Sequence, residues 1–387
     1  MSTSIINNIH NLKLIEKFND KIDINFGYGV EFNLELPQDK VILITSPSLD
    51  EKFLKNFIDH YEKLGTSFTK VKKSTGEPWS CDIDRTYSKI DEPVFGIVGI
   101  GGGSVLDFAK ALAILILNNK NIDQYEFGDE QIRKVASMWL IPTTCGSGSE
   151  VSKYCVVNNT QTGRKFTISN DLLKPKQIAV NPQQLKLLTN DVRLETGLDA
   201  FTHCLEALLN SNRDKRLDPV AEEGVKIACR ILPRVAKQDT SVEILEDLAI
   251  LSLLGGTAIT YNRTGLIHTL SVAFAPLMKM SHGLLNSHLV YYALKFSLSS
   301  YHGRLRDVCS LMFEKDIISD EDGFNILIHW LDEVKGKNKF ISEKSIHTDC
   351  DKIVDRIFQD KGLADVTHGQ LDKKSILDTV KKILEEV

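Results

Sequence analysis

The chain has 387 residues, of which 42% are hydrophobic and 26% charged, and it carries a net charge of −5 at pH 7. This length suits two domains with separate cores, and the acidic balance excludes a surface built to bind nucleic acid or an anionic membrane. The seven cysteines show no CxxC spacing and the N-terminal stretch lacks the apolar core of a signal peptide, so we expect a cytoplasmic protein without membrane contact.

Short β-branched runs alternate with helical stretches in the first half of the chain. This alternation is typical of a parallel sheet covered by helices. The pattern predicts strands at 40–45, 67–71, 93–100, 135–141, 154–158, 165–168 and 177–180, and helices at 50–64, 83–88 and 105–117.

Three consecutive glycines, Gly101 to Gly103, follow the strand that ends at residue 100 and precede Ser104. Glycines at such a junction allow a close backbone approach and leave free N–H groups at the positive end of a helix. The spacing is neither GxGxxG nor a Walker loop. Taken alone, the stretch predicts a tight turn about as well as a phosphate site.

A second small-residue loop, residues 142–150 with the sequence PTTCGSGSE, follows the strand at 135–141. Hydroxyl residues and glycines at the carboxyl end of a parallel strand lie at the ligand-binding edge of an open sheet. Two such loops in one α/β half favour a nucleotide-binding domain.

The pattern changes near residue 190, where long amphipathic helices begin. They are predicted at 192–209, 219–236, 244–261, 265–278 and 284–296, with more towards the C-terminus. We therefore divide the chain into an α/β nucleotide-binding domain, residues 1–186, and an all-helical domain, residues 187–387.

Asp199 and His203 lie four residues apart on the first of these helices and share one face. They could hold a divalent cation, although an isolated pair at this spacing is more often a simple polar contact. His268 and His282 lie on two later helical segments, so only the fold could bring them to this pair. Together, one carboxylate and three imidazoles would suit Fe(II) or Zn(II), not Ca²⁺ or Mg²⁺.

Several motifs, in order, resemble those of one family. They are GGGSVLDFAK at 101–110, PTTCGSGSE at 142–150, GLDAFTH at 197–203, GLIH at 265–268 and SHGLLN at 281–286. The chain resembles the iron-containing, or group III, alcohol dehydrogenases. The resemblance implies an N-terminal Rossmann-like α/β domain followed by an all-α domain, the fold shared with dehydroquinate synthase, and a homodimer or larger assembly.

The resemblance also implies specific roles. The Fe(II) or Zn(II) ligands would be Asp199, His203, His268 and His282. NAD or NADP would be bound by Ser46, Gly102, Gly103, Ser104, Thr143, Thr144, Ser147 and Lys165. For Lys165, an exposed strand lysine without such a role remains an alternative.

Two positions depart from the family pattern. Many NAD-preferring members carry an aspartate after the first strand, where this chain has Ser46, so NADP is not excluded. Many members have a second histidine four residues after the third ligand, which acts as a proton relay. Here that position is Val272, so water, the cofactor ribose or another residue such as His288 would have to take the proton.

The function implied is reversible oxidation of a hydroxyl to a carbonyl, with hydride transfer to NAD(P). The substrate would be a primary alcohol, a diol, or a sugar or sugar-acid hydroxyl such as the C8 hydroxyl of Kdo, for which Arg263 is a candidate anchor. One alternative is a dehydroquinate-synthase-like lyase or cyclase that uses bound NAD and zinc. Another is a non-catalytic binding protein on the same fold.

Overall fold

A computed structural model describes residues 3–128, 130–278, 280–336 and 350–386. The chain forms two compact units, one of residues 12–188 and one of residues 1–11 together with 189–387. Helix α1, Thr3–Phe18, contributes to both. The division after residue 186 stays a prediction, since residues 1–11 group with the helical part. No described helix has the length and apolarity that a membrane crossing requires.

The unit of residues 12–188 contains the strands and three further helices. The strands are β1 (Asp23–Phe26), β2 (Lys40–Thr45), β3 (Ser67–Lys72), β4 (Ile97–Gly101), β5 (Met138–Pro142), β6 (Tyr154–Asn158), β7 (Lys165–Ser169) and β8 (Gln177–Val180), and the helices are α2 (Glu51–Lys63), α3 (Ser80–Tyr87) and α4 (Gly103–Asn118). Six strands form one sheet in the order β1-β8-β5-β4-β2-β3, and all its neighbouring pairs are parallel.

The burial of each strand follows its place in this sheet. The inner strands β4, β5 and β8 are buried along their whole length, and β2 is buried after its first residue, as expected where helices cover both faces of a parallel sheet. The edge strands β1 and β3 are partly exposed and more polar. Helix α4 is buried from Val105 to Leu115, which places it in the core.

Strands β6 and β7 lie at the predicted positions, but the sequence does not predict how they pair. They pair antiparallel in a separate two-stranded sheet and do not extend the parallel one. The six residues between them, 159–164, are too few for a parallel crossover, which needs a dozen or more. Gly163, at φ +67°, makes the tight turn possible.

The other unit is helical throughout its described residues. Its helices are α5 (Asn190–Leu209), α6 (Asp218–Ala236), α7 (Val242–Asn262), α8 (Leu266–Phe274), α9 (His282–Ser297), α10 (Arg304–Phe313), α11 (Asp320–Lys335), α12 (Cys350–Ile357), α13 (Leu363–Val366) and α14 (Lys373–Glu386). Helix α5 is buried continuously from Gly197 to Leu209 and packs against α6, α7 and α9. The predicted fold class, an α/β domain followed by an all-helical one, is confirmed.

Candidate metal centre and nucleotide-binding edge

Helix α5 carries three polar side chains on one buried stripe. The helix starts after Thr189, whose hydroxyl accepts a hydrogen bond from the backbone N–H of Val192. Asp199, His203 and Glu206 follow at intervals of four and three residues, so they point in nearly the same direction. Each is at most 7% exposed. Three polar groups buried on one stripe require partners from neighbouring elements.

Helices α8 and α9 supply those partners through His268 and His282. His268 lies on α8 and is 7% exposed, whereas His282 is the first residue of α9 and its side chain is 32% exposed. Ser281 caps α9 by accepting a hydrogen bond from Leu284 N. The cluster is therefore closed on the α5 and α8 sides and open to solvent at His282.

The distances within this cluster suit a metal ion. Asp199 Oδ1 lies 3.5 Å from His268 Nε2, 3.8 Å from His282 Nε2 and 3.9 Å from His203 Nε2. In a tetrahedral site with bonds of about 2.1 Å, ligand atoms are roughly 3.4 Å apart. The ligand atoms of Asp199, His268 and His282 all lie within 4.8 Å of one another, and His203 joins this group through its approach to Asp199. The buried three-nitrogen, one-oxygen donor set fits Fe(II) or Zn(II).

The charges of these groups depend on one another. Burial alone would raise the pKa of Asp199, but the nearby imidazoles of His203, His268 and His282 hold it well below its usual range. Burial alone would lower the pKa of His268, but the carboxylates of Glu206 and Asp199 raise it to about 9. The two carboxylates and the imidazoles of this cluster therefore stabilise one another's charged forms in the absence of a metal ion.

Three further residues contact three of the four predicted ligands and were not assigned this role from the sequence. Glu206 Oε2 lies 2.6 Å from His268 Nδ1, and Ser271 Oγ lies 3.1 Å from His282 Nδ1. Asn286 Nδ2 lies 2.8 Å from Asp199 Oδ1 and 3.0 Å from His268 Nε2. The helical spacing from Asp199 could have identified Glu206, but Ser271 and Asn286 meet their partners only through tertiary packing.

The predicted cofactor residues gather at one edge of the parallel sheet. Ser46 follows β2, and its backbone N–H donates to Ile100 O on the neighbouring strand β4. A Cβ added at Gly102 would lie 3.1 Å from the Thr144 side chain, and one added at Gly103 would lie 2.5 Å from Ser147 Oγ. The loops after β4 and β5 are therefore in direct contact, and larger residues at these two glycines would fill the space between them.

The remaining predicted cofactor residues differ in position. Ser104 lies in the first turn of α4, and Thr143 N donates to Gly101 O at 2.9 Å, so both belong to the same edge. Lys165 instead lies on β7, where its Nζ is 3.1 Å from Glu77 Oε1. The structure therefore joins seven of the eight predicted residues at one sheet edge and pairs Lys165 with a carboxylate.

Buried charges on α4 hold the loop after β5 in place. Lys110 Nζ donates to Ser152 O at 2.7 Å and to Tyr154 O at 2.8 Å. Ser149 Oγ donates to Asp107 Oδ1 at 2.6 Å. Burial raises the pKa of Asp107 to about 6 and lowers the pKa of Lys110. These contacts fix the loop relative to the glycine-rich turn.

The structure also describes the three residues that the sequence analysis discussed outside the predicted ligands and cofactor residues, namely Val272, His288 and Arg263. Val272 is 40% exposed, one turn after His268 on α8. The pKa of His288 is lowered to about 4 by burial and by the charge of Lys335 on α11. Arg263 forms an ion pair with Asp360 at 3.0 Å.

The amino-acid sequence is similar to family models and to known dehydrogenases over most of its length. A family model described as iron-containing alcohol dehydrogenase matches residues 28–182, and a model for the C-terminal region of the same family matches residues 193–384. An NAD-dependent methanol dehydrogenase of Bacillus methanolicus is 26% identical over 71% of this chain and 73% of its own length. A 1-propanol dehydrogenase of Salmonella typhimurium is 25% identical over 75% of this chain and 77% of its own length.

Solved structures share the fold. An iron-containing alcohol dehydrogenase from Thermococcus thioreducens superposes with a TM-score of 0.83 at 22% identity. The match covers 95% of this chain and 99% of that one. The order of elements is thus common to both chains along almost their whole length.

Proposed function

The chain belongs to the iron-containing alcohol dehydrogenase family, and from this premise we propose that it interconverts a small alcohol and its carbonyl compound with a nicotinamide cofactor. The observation that carries the proposal is the buried carboxylate of Asp199, which three imidazole nitrogens approach to within 3.5–3.9 Å. Three imidazoles and one carboxylate are a donor set that binds Fe(II) or Zn(II), and a bound metal ion would explain why three histidines meet at one carboxylate.

In this proposal Asp199, His203, His268 and His282 hold Fe(II) or Zn(II). When bound, such an ion acts as a Lewis acid that lowers the pKa of a nearby hydroxyl. The protein's own part is to keep the four ligand atoms at fixed spacing in a cluster that is buried except at His282. The exposed side of His282 leaves room for a small substrate to enter.

The cofactor is assigned to the edge formed by Gly102, Gly103, Thr144 and Ser147. The N-terminus of α4 offers backbone N–H groups and a positive dipole to the pyrophosphate, and among the described residues no side chain caps it. Ser46 supplies no carboxylate that would repel a 2′-phosphate. We therefore propose NAD, by analogy with the NAD-dependent relative, and expect NADP to be accepted as well.

The proton released on alcohol oxidation would leave through solvent. Val272 has no ionisable group, and its 40% exposure brings water to this turn of α8. The pKa of His288 is lowered to about 4 by burial and by Lys335, so this imidazole accepts a proton poorly near pH 7, which argues against it as a substitute relay. Water and the cofactor ribose remain as proton acceptors.

Short primary alcohols and diols are the proposed substrates, since the relatives named above act on methanol and 1-propanol. A sugar acid such as Kdo would need a cation for its carboxylate. Arg263, the candidate from the sequence, already binds Asp360, which weakens that option. A homodimer or larger assembly and a cytoplasmic location stay predictions.

A substrate panel tests the proposal. The purified protein would be supplied with Fe(II) or Zn(II), with NAD or NADP, and with methanol, 1-propanol, 1,3-propanediol or Kdo, and the reduced nicotinamide would be followed by absorbance. We expect turnover of short alcohols in the wild type and none in Asp199→Ala. Turnover of none of these substrates, in any combination, would reject the proposal. A dehydroquinate-synthase-like enzyme would release no net reduced cofactor.

A further inference from the structure

Glu206 binds the imidazole of His268 at the nitrogen that does not face Asp199. Its Oε2 lies 2.6 Å from His268 Nδ1, and its Oε1 accepts a hydrogen bond from Ile267 N at 2.6 Å. A carboxylate only accepts hydrogen bonds, so Nδ1 must carry a hydrogen, and in the neutral, metal-binding form of the ring Nε2 is the nitrogen with the lone pair. That lone-pair nitrogen is the atom 3.5 Å from Asp199 Oδ1.

We propose that Glu206 is a positioning residue that fixes His268 in the tautomer able to bind the metal. The inference rests on the proposed metal site and extends it beyond the four predicted ligands. Metal-bound histidines commonly donate their other N–H to a carboxylate, which orients the ring and raises its basicity. Glu206 is 6% exposed, so its charge is screened less than it would be in water.

The charge balance supports the same assignment. Asp199 and Glu206 are two buried carboxylates on one helix, and together they match the charge of one divalent cation. Either carboxylate alone would leave the ion with an unbalanced positive charge in a buried site. The pair therefore favours a divalent ion over a monovalent one.

His282 has a weaker counterpart in Ser271. The Ser271 hydroxyl lies 3.1 Å from His282 Nδ1 and can donate or accept, so it does not impose one tautomer. Ser271→Ala therefore removes only the contact of an uncharged hydroxyl with His282, and it serves as a milder change for comparison with Glu206→Gln. We expect its effect on metal affinity to be smaller than that of a change at Glu206.

A purely structural role for Glu206 makes a different prediction. Helix α8 has no side-chain cap of its own at Gly265, and Glu206 satisfies the N–H of Ile267 in its first turn. If that were its whole function, replacing Glu206 would change stability but would leave the tautomer of His268 unaltered.

Glu206→Gln separates these possibilities. If the amide oxygen of glutamine accepts from Ile267 N, its NH₂ group must face His268 Nδ1 and drive the hydrogen to Nε2. The reverse orientation leaves Ile267 N–H facing another donor. We expect Zn(II) affinity, measured by chelator competition, to fall about 10- to 100-fold. In ¹⁵N-histidine NMR of the metal-free proteins, His268 should be protonated at Nδ1 in the wild type and lose this state in the variant.

A matched control is Glu31→Gln, which changes another buried glutamate whose oxygens lie 3.1 Å from Asn181 Nδ2. We expect it to keep wild-type Zn(II) affinity. Equal affinity in Glu206→Gln and the wild type, with Nδ1 protonation retained, would overturn the inference but leave the metal site intact. Wild-type protein that binds no Zn(II) would overturn both. If Glu206→Gln fails to fold, the spectrum of the metal-free wild type still decides, because an Nδ1 of His268 without a hydrogen contradicts the inference.

Discussion

Gly283 allows α9 to lie against α5, and its replacement by alanine should disrupt the metal centre. A Cβ at this position would lie 1.9 Å from Glu195 O and 3.0 Å from Asp199 Cβ. Non-bonded heavy atoms prefer roughly 3.5 Å or more, so the helices would have to separate by well over 1 Å. The obstructing atom is the backbone carbonyl oxygen of Glu195 on α5, which cannot rotate away as a side chain could.

This displacement would act directly on the proposed ligands. His282 immediately precedes Gly283, and its Nε2 lies 3.8 Å from Asp199 Oδ1. Metal–ligand bonds tolerate only about 0.2 Å of error, so a shift above 1 Å removes His282 from the ligand set. We expect Gly283→Ala to lower Zn(II) affinity more than about 100-fold and to cost about 1–3 kcal/mol in free energy of unfolding.

The assay is Zn(II) binding by chelator competition together with thermal unfolding with and without the metal. Gly323→Ala is the matched control, because the nearest atoms to a Cβ there are at 3.4 Å, an ordinary contact, and the residue lies within helix α11. This control should be neutral or stabilise by up to about 1 kcal/mol. Wild-type affinity and stability in Gly283→Ala would refute the close helix contact on which the site depends.

Three further changes test other parts of the account. Gly103→Ala should weaken NAD binding about tenfold, because its Cβ would lie 2.5 Å from Ser147 Oγ, and an unchanged Kd by calorimetry would count against this edge as the cofactor site. Val272→His should speed alcohol oxidation about tenfold or more above pH 7 and add a titration near pH 6.5; an unchanged pH–rate profile would argue that position 272 lies away from the proton path. His288 has a pKa lowered to about 4, so between pH 6.5 and 4 the unfolded chain binds a proton that the folded protein does not, and stability falls on acidification. His288→Leu should remove up to about 3 kcal/mol of that loss, and equal pH slopes in chemical denaturation would contradict the burial of this imidazole.

The sequence predicted the buried parts of the fold well because their patterns are strong. The continuous apolar runs of β4 and β5 and the glycine-rich turn between β4 and α4 were recognised directly, and the family assignment is confirmed. Strand β1 was missed because Asp23–Phe26 is short, polar at its start and lies at the sheet edge. The pairing of β6 with β7 in a separate antiparallel hairpin is not predicted, because strand patterns do not report pairing direction.

The candidate metal centre shows a similar limit. Asp199 and His203 could be paired from helical spacing, but His268 and His282 were linked to them only by the family resemblance. The contact from Ser271 to His282 depends on how α8 meets α9, which no local pattern encodes. Arg263 shows the same limit. The sequence suggests it as a substrate anchor but does not reveal its ion pair with Asp360, which lies 97 residues away in the chain.

The central claim is that this chain is a metal-dependent alcohol dehydrogenase, and one measurement tests it most directly. Protein stripped of metal would be mixed with 1-propanol and NAD, and the reduced cofactor formed would be compared with the alcohol consumed before and after Fe(II) or Zn(II) is added. The account predicts no turnover without metal and, with it, one reduced cofactor for each alcohol oxidised. Equal turnover by the stripped protein, or alcohol consumed without net cofactor reduction, would contradict it.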